Sequence, residues 1–395
     1  MPVINRLAEL APAITEWRRD IHAHPELLFD TRRTSALVAE RLRAAGCDEV
    51  ATGIGRTGVV GVIRGRSTAS GRVVALRADM DALPIREATG LDHASRTPGR
   101  MHACGHDGHT AMLLGAAQYL AETRNFDGTA VVVFQPAEEG GGGGREMVAD
   151  GLMERFGIQE IYGMHNWPGL PVGDFAIRPG PLMAGSDDFT ITVAGRGGHA
   201  AFPHQTVDPV VAASAIVLGL QSVVARNADP LAPAVVSVTS FRSESDAFNV
   251  IPEQVELRGT ARSLDPAVQD LIENRMQALV EGVAAAHGAT AALNYRRSYP
   301  VTANAPAQTE FAARVAAGIV GEGRVDTDTP PVMGAEDFSF MLNARPGAFI
   351  FVGNGDSAGL HHPLYDFNDE LIPVGCSYWA RLVETAMPAS RIGDD

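Results

Sequence analysis

Apolar residues recur along this chain in two alternating rhythms. Residues 3–24 and 33–46 carry them at the three-to-four spacing of amphipathic helices. GVVGVIRG at 58–65 and RVVALRAD at 72–79 are instead short, valine-rich apolar runs of the kind that fill strands buried on both faces. A helix is predicted at about 110–123, starting with Thr110 and running AMLLGAAQYLAE. AVVVFQPAEE at 130–139 reads as another buried strand ending in acids, and EIYGMHNW at 160–167 as one more. Strands alternating with helices predict an α/β layer with a mostly parallel sheet flanked by helices.

The rhythm changes near Gly185. From there the pattern predicts a strand at 187–195, a helix at 206–226, strands at 234–241 and 254–262, a helix at 266–286 and a strand at 290–297. That β-α-β-β-α-β order is ferredoxin-like and makes a complete two-layer α+β unit inserted into the first. A helix at about 306–320, the segment GAEDFSFML, a strand AFIFVGN and a last helix from about 370 then return to the first domain. The expected organisation is one discontinuous domain, 1–184 and 300–395, around a second at 185–299, with crossings near Met183 and Asn304. A length of 395 residues suits two domains at roughly 100–200 residues each.

Charge narrows the partners. With 47 acidic and 32 basic residues the formal charge is −15, which leaves little to offer a phosphate backbone, so nucleic acid is not an expected partner. Hydrophobic content of 45% and charged content of 20% are ordinary globular usage and exclude wholesale disorder. Three cysteines, Cys47, Cys104 and Cys376, make no disulfide framework and suit a reducing compartment. The first twenty residues carry Glu9, Glu16 and Asp20 and no long apolar core, so neither a signal peptide nor a membrane span is read there and the cytoplasm is the expected address.

Polar side chains gather where the predicted strands end, the place where open α/β sheets bind ligands. Asp79 and Asp81 end one strand, Glu138 and Glu139 another and His165 a third, while His361 and His362 follow the last. MHACGHDGHT at 101–110 adds Cys104, His106, Asp107 and His109 just before a helix. Singly, each has an ordinary reading: Cys104 as a small buried hydrophobe, His165 as a structural strand end, the glutamate pair as a solvated face. But the pair follows the buried run VVVFQP and precedes five glycines, where a solvated face is out of place. Their joint occurrence points to a metal centre. Thiolate, imidazole and carboxylate donors together suit Zn²⁺, Mn²⁺, Co²⁺ or Ni²⁺ better than Mg²⁺ or Ca²⁺.

Two motifs invite other readings. GGGGG at 140–144 has Arg145 where a dinucleotide loop needs its third glycine, and lacks the Gly-Lys-Ser/Thr of a phosphate loop, so it reads as a flexible turn before the helix REMVADGLMERFG. GDSAG at 355–359 fits the G-x-S-x-G of a serine hydrolase with Ser357 as nucleophile. That elbow must pass from strand into helix, and the following GLHHPLYDF opposes one.

RADMDALP, MHACGHDGHTAMLLGAA, FQPAEEGGGG, GGHAAFPH, NVIP followed by RGTAR, GAEDFSF and LHHPLYDFND together resemble the hippurate hydrolase and indole-acetyl-amino-acid hydrolase branch of the dinuclear metallo-amidohydrolases, a family that includes aminoacylase and carboxypeptidase G. The resemblance runs in order from about His22 to about Asp369. It implies a two-metal catalytic domain plus a lid and dimerisation domain. It implies two divalent ions, with ligands at Cys104, His106, Glu139, His165 and His361, and a general base at Glu138. His361 is preferred to His362 because the family pattern is Leu-His-x-Pro. Other branches have His-x-Asp where this chain has Asp79-Met80-Asp81; the Cys-x-His pair stands in for the missing ligand, and Asp81 is expected to orient an imidazole.

The implied mechanism has the two ions lower the pKa of a water toward neutrality, while Glu138 takes its proton and later delivers it to the leaving amine. His199 resembles a lid histidine that reaches the active site of the partner subunit and stabilises the oxyanion. Asn249 and Arg262 match lid positions that bind the free carboxylate of the substrate, to which a guanidinium fork donates two parallel hydrogen bonds. His109 and His204 are expected to be structural or supporting groups. The expectation is therefore a metal-dependent hydrolase of N-acyl, foremost N-aroyl, amino acids that works as a homodimer or a dimer-based homo-oligomer. A carboxypeptidase or dipeptidase of the same family is the nearest alternative, and a non-catalytic metal-binding protein, which would need no base at Glu138, a more distant one.

Overall fold

The computed structural model describes residues 3–389; the outermost positions of the predicted first domain, 1–2 and 390–395, lie outside the described residues. The chain divides into two compact units. The second comprises Met183–Thr302 and Pro331–Glu336, and the first is the rest.

The first unit opens with helices α1 (Asn5–Ala23) and α2 (Arg32–Ala45), followed by strands β1 (Glu49–Ile54), β2 (Gly58–Arg64) and β3 (Val73–Asp79). Helix α3 (His106–Thr123) leads to β4 (Thr129–Gln135), the short helices α4 (Gly143–Ala149) and α5 (Leu152–Arg155), then β5 (Glu160–Pro168) and β6 (Phe175–Ala176). Strand β7 (Gly180–Met183) ends this half.

The second unit contains β8 (Gly185–Ala194), β9 (Gly198–His199), α6 (Pro209–Asn227), β10 (Ala234–Ser243), β11 (Val250–Ile251), β12 (Gln254–Ser263), α7 (Pro266–Ala286) and β13 (Thr290–Tyr299). Its four long strands form one antiparallel sheet in the order β10-β12-β8-β13, the ferredoxin-like arrangement. Along β8 buried and half-buried positions alternate, as a sheet with one covered face requires. Phe189, Ile191 and Val193 meet Ile216, Leu220, Ile272, Met276 and Val280 from the two helices in one apolar core. Both helices begin by the same device: Asp208 and Asp265 cap them by accepting the amides of Val210 and Ala267 at 2.8 Å, each followed by a proline in the first turn. Residues 331–336, expected in the first domain, belong to this unit, and Val332 bridges to Met183.

The chain returns through β14 (Thr302–Asn304), α8 (Pro306–Val320), β15 (Val325–Asp326), α9 (Ser339–Ala344), β16 (Gly347–Gly355) and α10 (Ile372–Ala386). The sheet of the first unit has the order β1-β2-β4-β3-β5-β16-β6-β15. Its centre, β4-β3-β5-β16, is parallel throughout, and antiparallel pairs occur toward its edges. Buried on both faces, these strands read as apolar runs: β4 and β16 are buried along almost their whole length. Parallel strands align their carboxyl ends, so Asp79, Gln135, His165 and the chain after β16 emerge at one edge of the sheet.

Candidate active site

Backbone geometry at that edge decides which side chains face one another. Helix α3 starts at His106, four residues before the predicted start at Thr110, so His106, Asp107 and His109 ride its first turn. No Ser, Thr, Asp or Asn caps it; Gly105 turns the chain in at φ +92°, a conformation that glycine adopts without penalty. Strand β4 ends at Gln135 instead of running into the acids. Pro136 cannot donate to the ladder, and buried Ala137 sits at φ +55°, a strained turn that carries Glu138 and Glu139 out of the strand. His361 is a second left-handed non-glycine residue here, at φ +62°, with its amide donating to the Ala103 carbonyl at 2.7 Å.

These turns bring together, within the first unit, all six residues expected there as ligands or base. The donor atoms of Cys104, His106 and His165 lie within 4.8 Å of one another; so do those of Cys104, Glu139 and His361, and of His106, Glu138 and Glu139. Cys104 Sγ is 3.4 Å from His165 Nε2, and Glu139 Oε1 is 3.3 Å from His361 Nε2 and 3.9 Å from His106 Nε2. Each buried imidazole spends Nδ1 on a backbone carbonyl: His106 donates to Asp81 O at 2.8 Å and His165 to Asn166 O at 2.7 Å. Nε2 of both rings is thereby left for the cluster. His106 Nε2 and Glu139 Oε1 are buried and have no hydrogen-bond partner. Two overlapping donor groups that share Cys104, with buried donor atoms that make no hydrogen bond, fit a pair of divalent cations.

The electrostatics agree with that fit. Burial, then the negative charges of Glu139, Glu138 and Asp79, push the Cys104 thiol well above its ordinary range, so a cation is needed to hold it as thiolate. Burial disfavours a charged His106, yet Asp79, Asp81 and Glu139 outweigh it and raise the imidazole to about 10. Burial would likewise raise Glu139, but His361 and His106 hold it below its usual value.

The chain belongs to peptidase family M20/M25/M40. The model of that family matches residues 75–385. A hippurate hydrolase of Campylobacter jejuni is 41% identical over 382 residues, covering 97% of this chain and 98% of that protein. An N-acetylcysteine deacetylase of Bacillus subtilis is 39% identical, covering 92% of this chain and 94% of its own. Among solved structures, a Bacillus subtilis protein described as a dinuclear metal binding peptidase of the M20 family is 34% identical with a TM-score of 0.83, covering 96% of this chain and 99% of that one.

In this M20 chain the residues around the donors each have their own partners. Asp81 reaches His106 through its backbone oxygen; its carboxylate accepts the amides of Glu138 at 2.9 Å and Glu139 at 3.2 Å, fixing the turn that carries both acids. Asp79, which with His106 and His109 makes a further group of donors, is held from both sides: Oδ1 accepts from His109 Nδ1 at 2.7 Å and Oδ2 from Arg77 Nη1 at 2.6 Å. Asp337, quoted in GAEDFSF but given no role, accepts from Gln135 Nε2 at 2.6 Å and from the Gly144 amide at 2.8 Å, and its own amide donates to Glu138 Oε1 at 3.4 Å. The glycine run is not simply a flexible turn, because a Cβ on Gly143 would collide with the Pro136 carbonyl and one on Gly144 would lie 2.6 Å from the Asp337 carbonyl. His362 is exposed and its Nδ1 accepts from the Leu364 amide at 3.1 Å, outside the donor groups around Cys104. Ser357 Oγ donates to the Ala358 carbonyl at 3.2 Å and accepts from Asn354 Nδ2 at 3.0 Å; the chain beyond it does not enter a helix, so no nucleophile elbow forms.

The remaining candidates lie in the second unit. His199 is exposed on β9, paired with Val250, with Nδ1 accepting from Ala201 N at 3.1 Å. Exposed Asn249 is tied to the same ribbon by the Ala200 amide, which donates to its carbonyl at 3.0 Å. Arg262 is half-buried near the end of β12, and burial lowers its pKa.

Proposed function

We propose that the chain is a dinuclear metal-dependent amidohydrolase that cleaves N-acyl, foremost N-aroyl, amino acids to a carboxylic acid and a free amino acid. The observation that carries this reading is the convergence of buried Cys104, His106 and His165 with half-buried Glu139 and exposed His361 beside Glu138, with His106 Nε2 buried and without a hydrogen-bond partner. Relatives named hippurate hydrolase and N-acetylcysteine deacetylase, each similar over more than nine-tenths of this chain, support N-acyl amino acids as the substrate class. The five donors would hold two ions, Mn²⁺, Zn²⁺, Co²⁺ or Ni²⁺ by their chemistry. When bound, such ions supply Lewis acidity and make water acidic enough to lose a proton near neutral pH.

Glu138 takes the proton of the attacking water and passes it to the leaving amine. The Asp337 amide at 3.4 Å and the Asp81 carboxylate under the Glu138 amide keep that base in place. Asn249 and Arg262 bind the free carboxylate of the substrate and His199 the developing oxyanion, which is what restricts the enzyme to acyl groups carried by an amino acid. The enzyme is further proposed to be a homodimer through its second unit. Helix α6 leaves Val211 53% and Leu218 75% exposed, and β10 is an unpaired edge of its sheet bearing half-exposed Phe241.

The test separates base from ligands. Glu138→Gln is expected to keep the metal content of the wild type and to lose about 10²–10⁴-fold in turnover of a panel of N-acyl amino acids. Metal content unchanged with near-normal turnover would remove Glu138 from the mechanism.

A further inference from the structure

Cys104 and His165 come from segments 61 residues apart, yet their donor atoms lie 3.4 Å from one another. His165 belongs to β5, whose ladder to β16 fixes its backbone. Cys104 and Gly105 sit in a bend ahead of α3 with no strand ladder to hold them. Apart from the His361 amide on the Ala103 carbonyl, side chains set the distance between the bend and the strand.

Asn166, the residue after His165, is placed to do so. It is fully buried and lies where four segments meet. Its Nδ2 donates to the Tyr365 hydroxyl at 2.6 Å, and Tyr365 is itself fully buried. On the other side, His109 Nε2 lies 2.6 Å from Asn166 Oδ1 and 3.0 Å from the Asn166 backbone amide. His109 Nδ1 is fixed in turn by Asp79 at 2.7 Å, and Asp79 by Arg77. The His109 ring packs edge-on against His165 with centroids 4.5 Å apart. Directly above the amide is Gly105: a Cβ there would collide with the Asn166 side-chain oxygen and lie 2.6 Å from the Tyr365 hydroxyl. The Asn166 amide and Tyr365 hydroxyl therefore form the floor on which the Cys104-Gly105-His106 bend rests.

We infer that Asn166 and Tyr365 are positioning residues: a buried clamp that holds the Cys104–His106 bend at ligand distance from His165 and so sets metal affinity, without touching metal or substrate. The inference rests on the dinuclear reading above. Neither residue is placed among the ligands or the base, and both lie too deep to meet substrate. Outer groups of this kind, when removed, lower metal affinity by about 10–100-fold.

The test is Co²⁺ titration of metal-free wild type, Asn166→Ala, Tyr365→Phe and Gly105→Ala, read by the thiolate-to-cobalt absorption band and by competition with a chelator. Asn166→Ala and Gly105→Ala leave all five ligands in place and are expected to bind Co²⁺ about 10–100-fold more weakly. Tyr365→Phe keeps the ring and loses one hydrogen bond, for an expected loss of about 2–10-fold. Excess Co²⁺ should restore turnover in Asn166→Ala, a rescue that a general packing defect would not give. Should Asn166→Ala fail to fold, Tyr365→Phe decides alone. A wild type with no thiolate band would overturn the metal reading and the clamp with it. A wild-type band together with unchanged affinity in the folded variants would overturn the clamp and leave the metal reading intact.

Discussion

Cys104 is the residue on which the site's electrostatics turn. Its thiol is buried among Glu139, Glu138 and Asp79 and is held protonated in the absence of a cation. A methyl group cannot replace a thiolate between two donor groups, so Cys104→Ala is expected to lose bound metal and activity together. Full metal content in that variant, measured by elemental analysis, would return Cys104 to the core-hydrophobe reading. His106 adds a pH dependence. Its imidazole is raised to about 10 in the metal-free protein, so at neutral pH a metal must displace a proton from it. Apparent metal affinity should therefore rise with pH, about tenfold per unit for each proton displaced from His106 and from the Cys104 thiol, and the His106 share of that slope should end near pH 10, where the imidazole is neutral. Calorimetry in buffers of different ionisation enthalpy measures the protons released; none released at neutral pH would contradict the raised imidazole. The donors themselves were legible in the chain because cysteine, histidine and glutamate at strand ends have few other reasons to be there. Choosing Glu138 over Glu139 as base, and His361 over His362 as ligand, came from motif resemblance and not from spacing. The supporting groups were not legible. His109 and Asn166 are 57 residues apart, Asn166 and Tyr365 199 apart, and Gln135 and Asp337 202 apart, and no local pattern announces such pairs.

Among the elements, those with one covered face were the easiest to read. In the second unit the alternation along β8 and the capped starts of α6 and α7 make boundaries visible to within a few residues. Helix α3 was harder. It is buried on nearly every side, so its pattern lacks a polar face, and its glycine entry carries no cap signal, which is why its first turn was missed. The same burial makes α3 sensitive to one methyl group. A Cβ on Gly115 would lie 2.5 Å from Ile14 Cδ1 and 2.8 Å from Cys376 Sγ, the contacts of α1 and α10. Overpacking costs about 1–3 kcal/mol and the better helix propensity of alanine returns about 1, so Gly115→Ala should be destabilising or at best neutral. Gly318 in α8 is the control, with nothing within 4 Å of its would-be Cβ. Gly318→Ala should stabilise by about 0.4–1 kcal/mol. Denaturant unfolding of the two variants side by side measures the difference; equal effects would mean that α3 can shift to make room.

At the scale of the whole molecule the proposed dimer makes the sharpest demand. Helix α6, Pro209–Asn227, is long and apolar enough to cross a membrane, but its composition has another explanation. Ala212, Ala213, Ile216, Leu220 and Val223 face the core of their own unit, while Val211 and Leu218 leave apolar surface outward. A second copy of the same unit would cover that surface through a two-fold contact. If the dimer also lends His199 to the neighbouring active site, two inactive variants should repair each other. Glu138→Gln and His199→Ala are to be co-expressed and the mixed dimers confirmed by mass. In a mixed dimer one site collects both defects, and the other combines an intact Glu138 with an intact His199 from the opposite chain. Random assembly makes about half the dimers mixed, each with one good site of two, so activity should recover to roughly a quarter of wild type. If His199 serves its own chain, every site retains a defect and activity stays at background. Background activity from confirmed mixed dimers would therefore exclude the shared site and leave His199 acting within its own subunit or in the structure of the second unit alone.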